Sequence, residues 1–320
     1  LNRTPAFREH PMLDRPTITG AEPDSGPNRL ESLQQTFNDY LALTKPPIIT
    51  LLVLTAIGGL FVAAAGVPPL VVTLLVCLGG ALGAGGANAL NHYLDQDIDR
   101  KMSRTVKRPI PGNRVSPRKA LIFGILLNVA SFAILGYGVN LLAASLTLSA
   151  TLFYVFVYTM WLKRTTPQNI VIGGAAGSIP PMVGWVAITG SLDLPALYMF
   201  SIVFFWTPPH FWALAFMIRD DYADAGIPML PVVTTSEHTA LHIFLYSLVL
   251  VAISLVFAST SAVSWVYLGT ATLLGIVFIA MALRLMKDSS KKQAKPLYLF
   301  SLLYLALLFL AMMVDSVVPF

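Results

Sequence analysis

Residues 69–100 read PLVVTLLVCLGGALGAGGANALNHYLDQDIDR, and this stretch decides the fold. From 69 to 92 it carries no lysine, arginine or carboxylate, and it is long enough for a helix to cross a hydrocarbon core, which takes about 20 residues. It then turns abruptly polar. Asn91, Asp95 and Asp99 recur at i, i+4 and i+8, so on a helix they form one column of oxygen ligands at the membrane boundary.

Eight further apolar runs flank this one, at roughly 47–65, 119–138, 141–161, 169–189, 195–217, 240–259, 263–284 and 297–315. Of the 320 residues, 56% are hydrophobic and 12% charged, whereas soluble domains carry about 25% charged residues. Mean hydropathy is +0.71. The expected fold is all-α: a polytopic membrane protein, a bundle of about nine transmembrane helices around a central cavity. A single cysteine, Cys77, excludes an internal disulfide and a Cys-based metal site. The net charge of +5 does not point to nucleic acid, because the basic residues collect at the ends of apolar runs.

Their placement gives the topology. All 21 lysines and arginines fall in five segments: the stretch through Lys45, 100–119, Lys163–Arg164, Arg219, and 284–295. In a nine-span chain these lie on one side, and the opposite side holds only Asp193 and Asp315 as charged residues. The positive-inside rule makes the basic side cytoplasmic, with the N-terminus inside and the C-terminus outside. Residues 1–38, polar and proline-rich, read as a disordered cytoplasmic tail without a signal-peptide core, leaving 39–320 as the transmembrane domain. Pro180, Pro181, Pro208 and Pro209 are expected to kink their helices.

The sixth run ends in a second acidic cluster, Arg219-Asp220-Asp221-Tyr222-Ala223-Asp224, on the same side as the first. Mg2+ takes one or two carboxylates and completes its shell with water and phosphate oxygens. Asp95, Asp99, Asp220, Asp221 and Asp224 are therefore candidate metal ligands, with Asn91 beside them, for a metal-bound diphosphate. A calcium loop starting at Asp95 fails, because its glycine position holds Arg100 and its closing glutamate position holds Val106. Arg104, Lys107, Arg108 and Lys163 lie among or near the acids and are the expected diphosphate-binding bases. The bland reading of each group is a solvated helix end or a topology determinant.

Asn91-x3-Asp95-x3-Asp99 with Asp220-x3-Asp224 resembles the paired motifs of the UbiA-type intramembrane prenyltransferases. Leu43–Pro46, Arg104–Pro111, Leu162–Gly174, Trp206–Leu214 and Asp221–Val232 are similar to the haem-farnesylating branch of that superfamily, the haem O synthases. The resemblance covers about residues 40–320. It centres the second motif on Asp221-Tyr222, whereas the spacing selects Asp220 and Asp224, so the choice among the three stays open.

The resemblance implies Mg2+, farnesyl diphosphate and haem b as cofactor and substrates, a bacterial plasma membrane as location, and a downstream haem A synthase or terminal oxidase assembly. Farnesyl would pass to a haem vinyl group with addition of water. Phe153, Tyr154, Tyr158, Phe205, Trp206 and Phe211 are candidates to line a dry cavity. Haem iron favours imidazole, which makes the two histidines within apolar runs, His210 and His92, the haem-binding candidates, with His92 alternatively supporting the aspartate column. Two rivals remain at this stage: a different acceptor such as a quinone precursor, and a membrane transporter. The transporter would place ionisable groups at helix centres, but here they gather at one face.

Overall fold

The computed structural model describes residues 29–318. An outlying helix, α1 (Arg29–Thr44), precedes the spans. The first three are α2 (Pro46–Ala64), α3 (Leu70–Leu94), extended by the short α4 (Gln96–Asp99), and α5 (Pro117–Gly138). The fourth is composite: α6 (Leu141–Leu152), a π-helical stretch Phe153–Leu162, and α7 (Lys163–Thr165). The fifth is α8 (Asn169–Gly177) with α9 (Ile179–Thr189), and the sixth is α10 (Leu194–Met217). Two short helices follow, α11 (Arg219–Asp224) and α12 (Leu230–Val233), before α13 (Ser236–Phe257), α14 (Trp265–Lys287) and α15 (Lys291–Val317). Among the described residues nine helices are long and apolar enough to span a bilayer, in the expected positions.

Local chemistry sets the ends of these helices. Prolines open α2 and α5 at their first turn, where a missing N–H costs nothing. Asn140 accepts from the Ala143 amide (2.8 Å) to cap α6 and donates to the Val186 carbonyl (2.8 Å), pinning the tight turn between the third and fourth spans. Asp315, near the end of α15, accepts from the Val266 and Tyr267 amides (3.1 and 3.3 Å) and so caps α14.

The prolines act unequally. The fifth span breaks at Ser178, just before Pro180 and Pro181, but α10 runs unbroken through Pro208 and Pro209. The fold therefore accommodates the second pair within a helix, although the carbonyls one turn earlier lose their donors.

In lipid, helices associate by close packing. A Cβ on Gly59 would collide with the Pro181 carbonyl and one on Gly184 with the Ala56 carbonyl, so α2 and α9 touch backbone to backbone. α10 is the innermost span, with 67% of its apolar window buried against 22% for the third and fourth spans. Trp212, Tyr267, Tyr304, Phe257, Phe278 and Phe309 fill the core where α10 meets α13–α15. Large side chains such as Val71 and Leu273 stay exposed on outer helices, as a lipid-facing surface requires.

One expectation is revised. Residues 1–28 of the expected tail lie outside the described residues, but 29–38 are helical as the first part of α1. Leu30, Leu33, Phe37 and Leu41, spaced to share one face, give that segment an amphipathic pattern which its polar average hides. Open volumes of about 650 and 570 Å3 lie in grooves lined by α2, α3 and α5 and by α14 and α15.

Candidate active site at one end of the bundle

The first motif keeps its column although α3 ends at Leu94. The Asp95 amide donates to the Asn91 carbonyl (2.9 Å) and the Asp99 amide to the Asp95 carbonyl (2.8 Å), so the helical spacing continues through the break into α4. All three side chains are buried, Asp95 completely. Buried carboxylates need compensation, and bases supply it. Lys163 Nζ donates to Asp95 Oδ2, and Arg108 Nη1 bonds both oxygens of Asp99 at 2.8 Å. Asn91 donates to Asp95 Oδ2 (2.7 Å) and Thr159 Oγ1 (3.1 Å) and accepts from Lys45 Nζ (2.9 Å).

Lys45 was missed as a site residue, since a lysine before an apolar run reads as a topology signal. The residue sits in the left-handed backbone region (φ 55°), between α1 and α2. Its ammonium is pushed down to about 7, first by burial and then by the charges of Arg108 and Lys163. Three cationic groups thus converge on two buried carboxylates.

The π-helical stretch positions the fourth span's contribution. Thr159 Oγ1 donates to the Tyr154 carbonyl five residues back (2.9 Å) while accepting from Asn91, and Lys163 follows directly. Tyr154 and Tyr158 stack with ring centroids 5.4 Å apart. Gly173 lets the Tyr158 ring lie there, because a Cβ would overlap it. Such wide turns recur at functional sites.

The second motif arrives at the same end of the bundle. Ser103 Oγ, in the loop after the first motif, donates to Asp221 (2.9 Å to Oδ1). Tyr222, half-buried, has Asp95, Asp221, Arg104 and Arg108 as electrostatic neighbours, and its phenol is pushed up chiefly by desolvation. The three aspartates of α11 separate. Asp221 is half-buried and faces the first motif's loop, whereas Asp220 and Asp224 are exposed and Asp220 pairs with Lys291 Nζ (3.1 Å).

The basic candidates divide likewise. Arg108 and Lys163 sit on the aspartates, and Arg104 and Lys107 are exposed. Asp97, outside the column, is exposed and gripped by both Arg164 terminal nitrogens at 2.8 Å, which holds its carboxyl down at about 2. Among the described residues no group of three or more His, Cys, Asp or Glu side chains converges to hold a metal. One carboxylate oxygen, Asp95 Oδ1, is buried with no hydrogen-bond partner, its nearest base being Arg164 at 3.7 Å. A hard cation that uses few protein ligands fits that oxygen.

The two histidines part company. His92 belongs to the aspartate column: Nδ1 is 3.9 Å from Asp99, and both ring nitrogens are buried without hydrogen bonds. His210 lies among Trp206 and Tyr298, which stack on it with centroids 4.3 and 4.9 Å away. Its Nδ1 is 2.7 Å from Ser301 Oγ, and that hydroxyl donates to the Tyr298 carbonyl (2.6 Å). Ser301 must therefore accept from Nδ1–H, which leaves the lone pair on Nε2.

Nine spans, with two acidic motifs and half-buried bases gathered at one end of the bundle, make up the candidate site. The chain belongs to the UbiA prenyltransferase family, whose pattern matches residues 52–311. It is 51% identical over 290 residues to a protein named protoheme IX farnesyltransferase from Gloeobacter violaceus, covering 90% of this chain and 95% of that one. It is 53% identical over 282 residues to protoheme IX farnesyltransferase 1 of Saccharopolyspora erythraea, covering 87% and 90%. A Roseiflexus relative of the same name is 50% identical over 90% of this chain, which spans only 54% of that longer protein. Among solved structures, a digeranylgeranylglyceryl phosphate synthase superposes with a TM-score of 0.74 at 19% identity, covering 88% of this chain and 99% of that one. A UbiA homologue of Archaeoglobus fulgidus bound to GPP and Mg2+ gives 0.63 at 19%, covering 86% and 99%. These two likenesses support the fold.

Proposed function

We propose that this chain transfers the farnesyl group of farnesyl diphosphate to a vinyl group of haem b, with addition of water, releasing diphosphate and haem O. The observation that carries the ionisation half is the excess of half-buried basic groups, Lys45, Arg108 and Lys163, against the buried Asp95 and Asp99. An arriving diphosphate fills that excess and favours the protonated form of Lys45. Asp95 and Asp221 would hold Mg2+, which when bound would supply charge neutralisation of the leaving diphosphate.

Lys163 and Arg108 hold the diphosphate while the allylic C–O bond breaks, so the electron pair leaves with an already compensated oxygen. Tyr154 and Tyr158 cover the reacting carbon and exclude water. The new C–C bond takes its electrons from the haem vinyl group; water adds at the other vinyl carbon and loses a proton. His210 presents Nε2 to the haem iron, with Ser301 fixing its tautomer. His92 packs beside the aspartate column, with Nδ1 3.9 Å from Asp99.

The haem half rests on the relatives' printed names and on His210. The exposed bases of the acidic end favour an N-terminus inside, and the bacterial sources of the relatives favour a bacterial plasma-membrane location. The test is to incubate purified protein with labelled farnesyl diphosphate and Mg2+, offering haem b or an aromatic acid as acceptor. Label in a haem product supports the assignment, and label only in the aromatic product overturns it.

A further inference from the structure

We propose that the groove lined by α2, α3 and α5 seats one anionic phospholipid, its acyl chain in the groove and its headgroup on Lys119. The groove holds about 650 Å3, within the roughly 300–1,000 Å3 of small-molecule pockets. Val53, Leu54, Ile57, Ala81, Phe123 and Leu127 make its wall almost wholly apolar. It runs along three spans, so in a bilayer its occupant is a hydrocarbon chain.

What selects the headgroup is Lys119. It stands one turn before Phe123 and two before Leu127, on the same side of α5, at the end of the helix nearest the acidic motifs. Lys119 is exposed and makes no ion pair among the described residues. On α1, Asp39 is taken by Arg114 Nε at 2.8 Å. A free ammonium at the mouth of an apolar groove favours a lipid phosphate without a compensating positive headgroup.

α1 closes the same end. Its last turn reaches the groove, where Leu41 joins the lining and Tyr40 packs edge-on to Phe123 with ring centroids 5.0 Å apart. The rest of its apolar stripe is uncovered: Leu30, Leu33 and Phe37 are 72%, 59% and 66% exposed. A short amphipathic helix of this kind lies in the headgroup plane, which sets the depth of the lipid headgroup beside Lys119.

The test is native mass spectrometry of the full chain in detergent, titrated with phosphatidylglycerol or phosphatidylcholine of identical acyl chains. Wild type is expected to retain one phosphatidylglycerol in preference to phosphatidylcholine. Lys119→Glu should lose that preference by about fivefold or more, the scale of one lysine at an anionic surface. Ala81→Phe, which fills the groove, should lose retention of both lipids, and Arg118→Glu, a neighbouring exposed base on another side of α5, should change neither. Melting temperatures of the variants verify that each is folded, and glycerol phosphate should not compete. Equal retention of the two lipids by wild type, or unchanged retention in Ala81→Phe, overturns the proposal. So does displacement of the lipid by farnesyl diphosphate, which would make the groove a substrate channel.

Discussion

Replacing Lys163 by methionine removes the base that neutralises a completely buried carboxylate. Asp95 then keeps Asn91 Nδ2 at 2.7 Å and only the longer ion pair to Arg164 at 3.7 Å. Breaking a buried pair from one side costs about 3–5 kcal/mol, and the residual attraction of Arg164 places this site at the lower end, about 3 kcal/mol. For a chain of this size that lowers the melting temperature by roughly 4–5 °C. Adding Asp95→Asn removes the stranded charge, so the double variant should regain most of the loss. Activity behaves differently. The double variant lacks both a diphosphate base and the carboxylate with the unpartnered oxygen, so it should stay at least about a hundredfold below wild type in farnesyl transfer. Differential scanning fluorimetry in detergent and a labelled-farnesyl assay separate the two effects. A stable, active Lys163→Met protein, or a double variant that regains activity, would refute the reasoning.

Ser301→Ala removes the acceptor of His210 Nδ1–H, and haem affinity should fall about 10–100-fold, the usual cost of losing an outer partner of a metal-bound histidine; a Soret titration reads this, and farnesyl diphosphate binding should not move. Among the α11 aspartates, Asp221→Asn should lower kcat/KM at least about tenfold, while Asp220→Asn and Asp224→Asn stay within about twofold because both side chains face solvent. Gly173→Ala pushes a methyl into the Tyr158 ring and should cost about 1–3 kcal/mol by thermal or denaturant unfolding.

The spans and their common basic side were legible because apolar length and charge placement are local properties, and the first motif was legible because its i, i+4 spacing survives the break at Leu94. Spacing alone could not rank the second motif's aspartates. Asp220 and Asp224 share a helical face, but α11 is only six residues long, and its neighbours turn that face to solvent and Asp221 toward Ser103. Ser103 is 118 residues from Asp221, and Ser301 is 91 from His210; no local pattern encodes such pairs. The π-helical stretch was equally hidden, since its apolar sequence also suits an ordinary helix. α1 was readable from Leu30, Leu33, Phe37 and Leu41, but average polarity obscured the stripe.

The account requires the two acidic motifs to act on one diphosphate. A double-mutant cycle on kcat/KM for farnesyl diphosphate, with Asp95→Asn, Asp221→Asn and both together, measures that directly. The losses should fall short of additivity by more than about 0.5 kcal/mol, as they do for residues sharing a ligand. Strictly additive losses would mean that the two aspartates serve separate ligands.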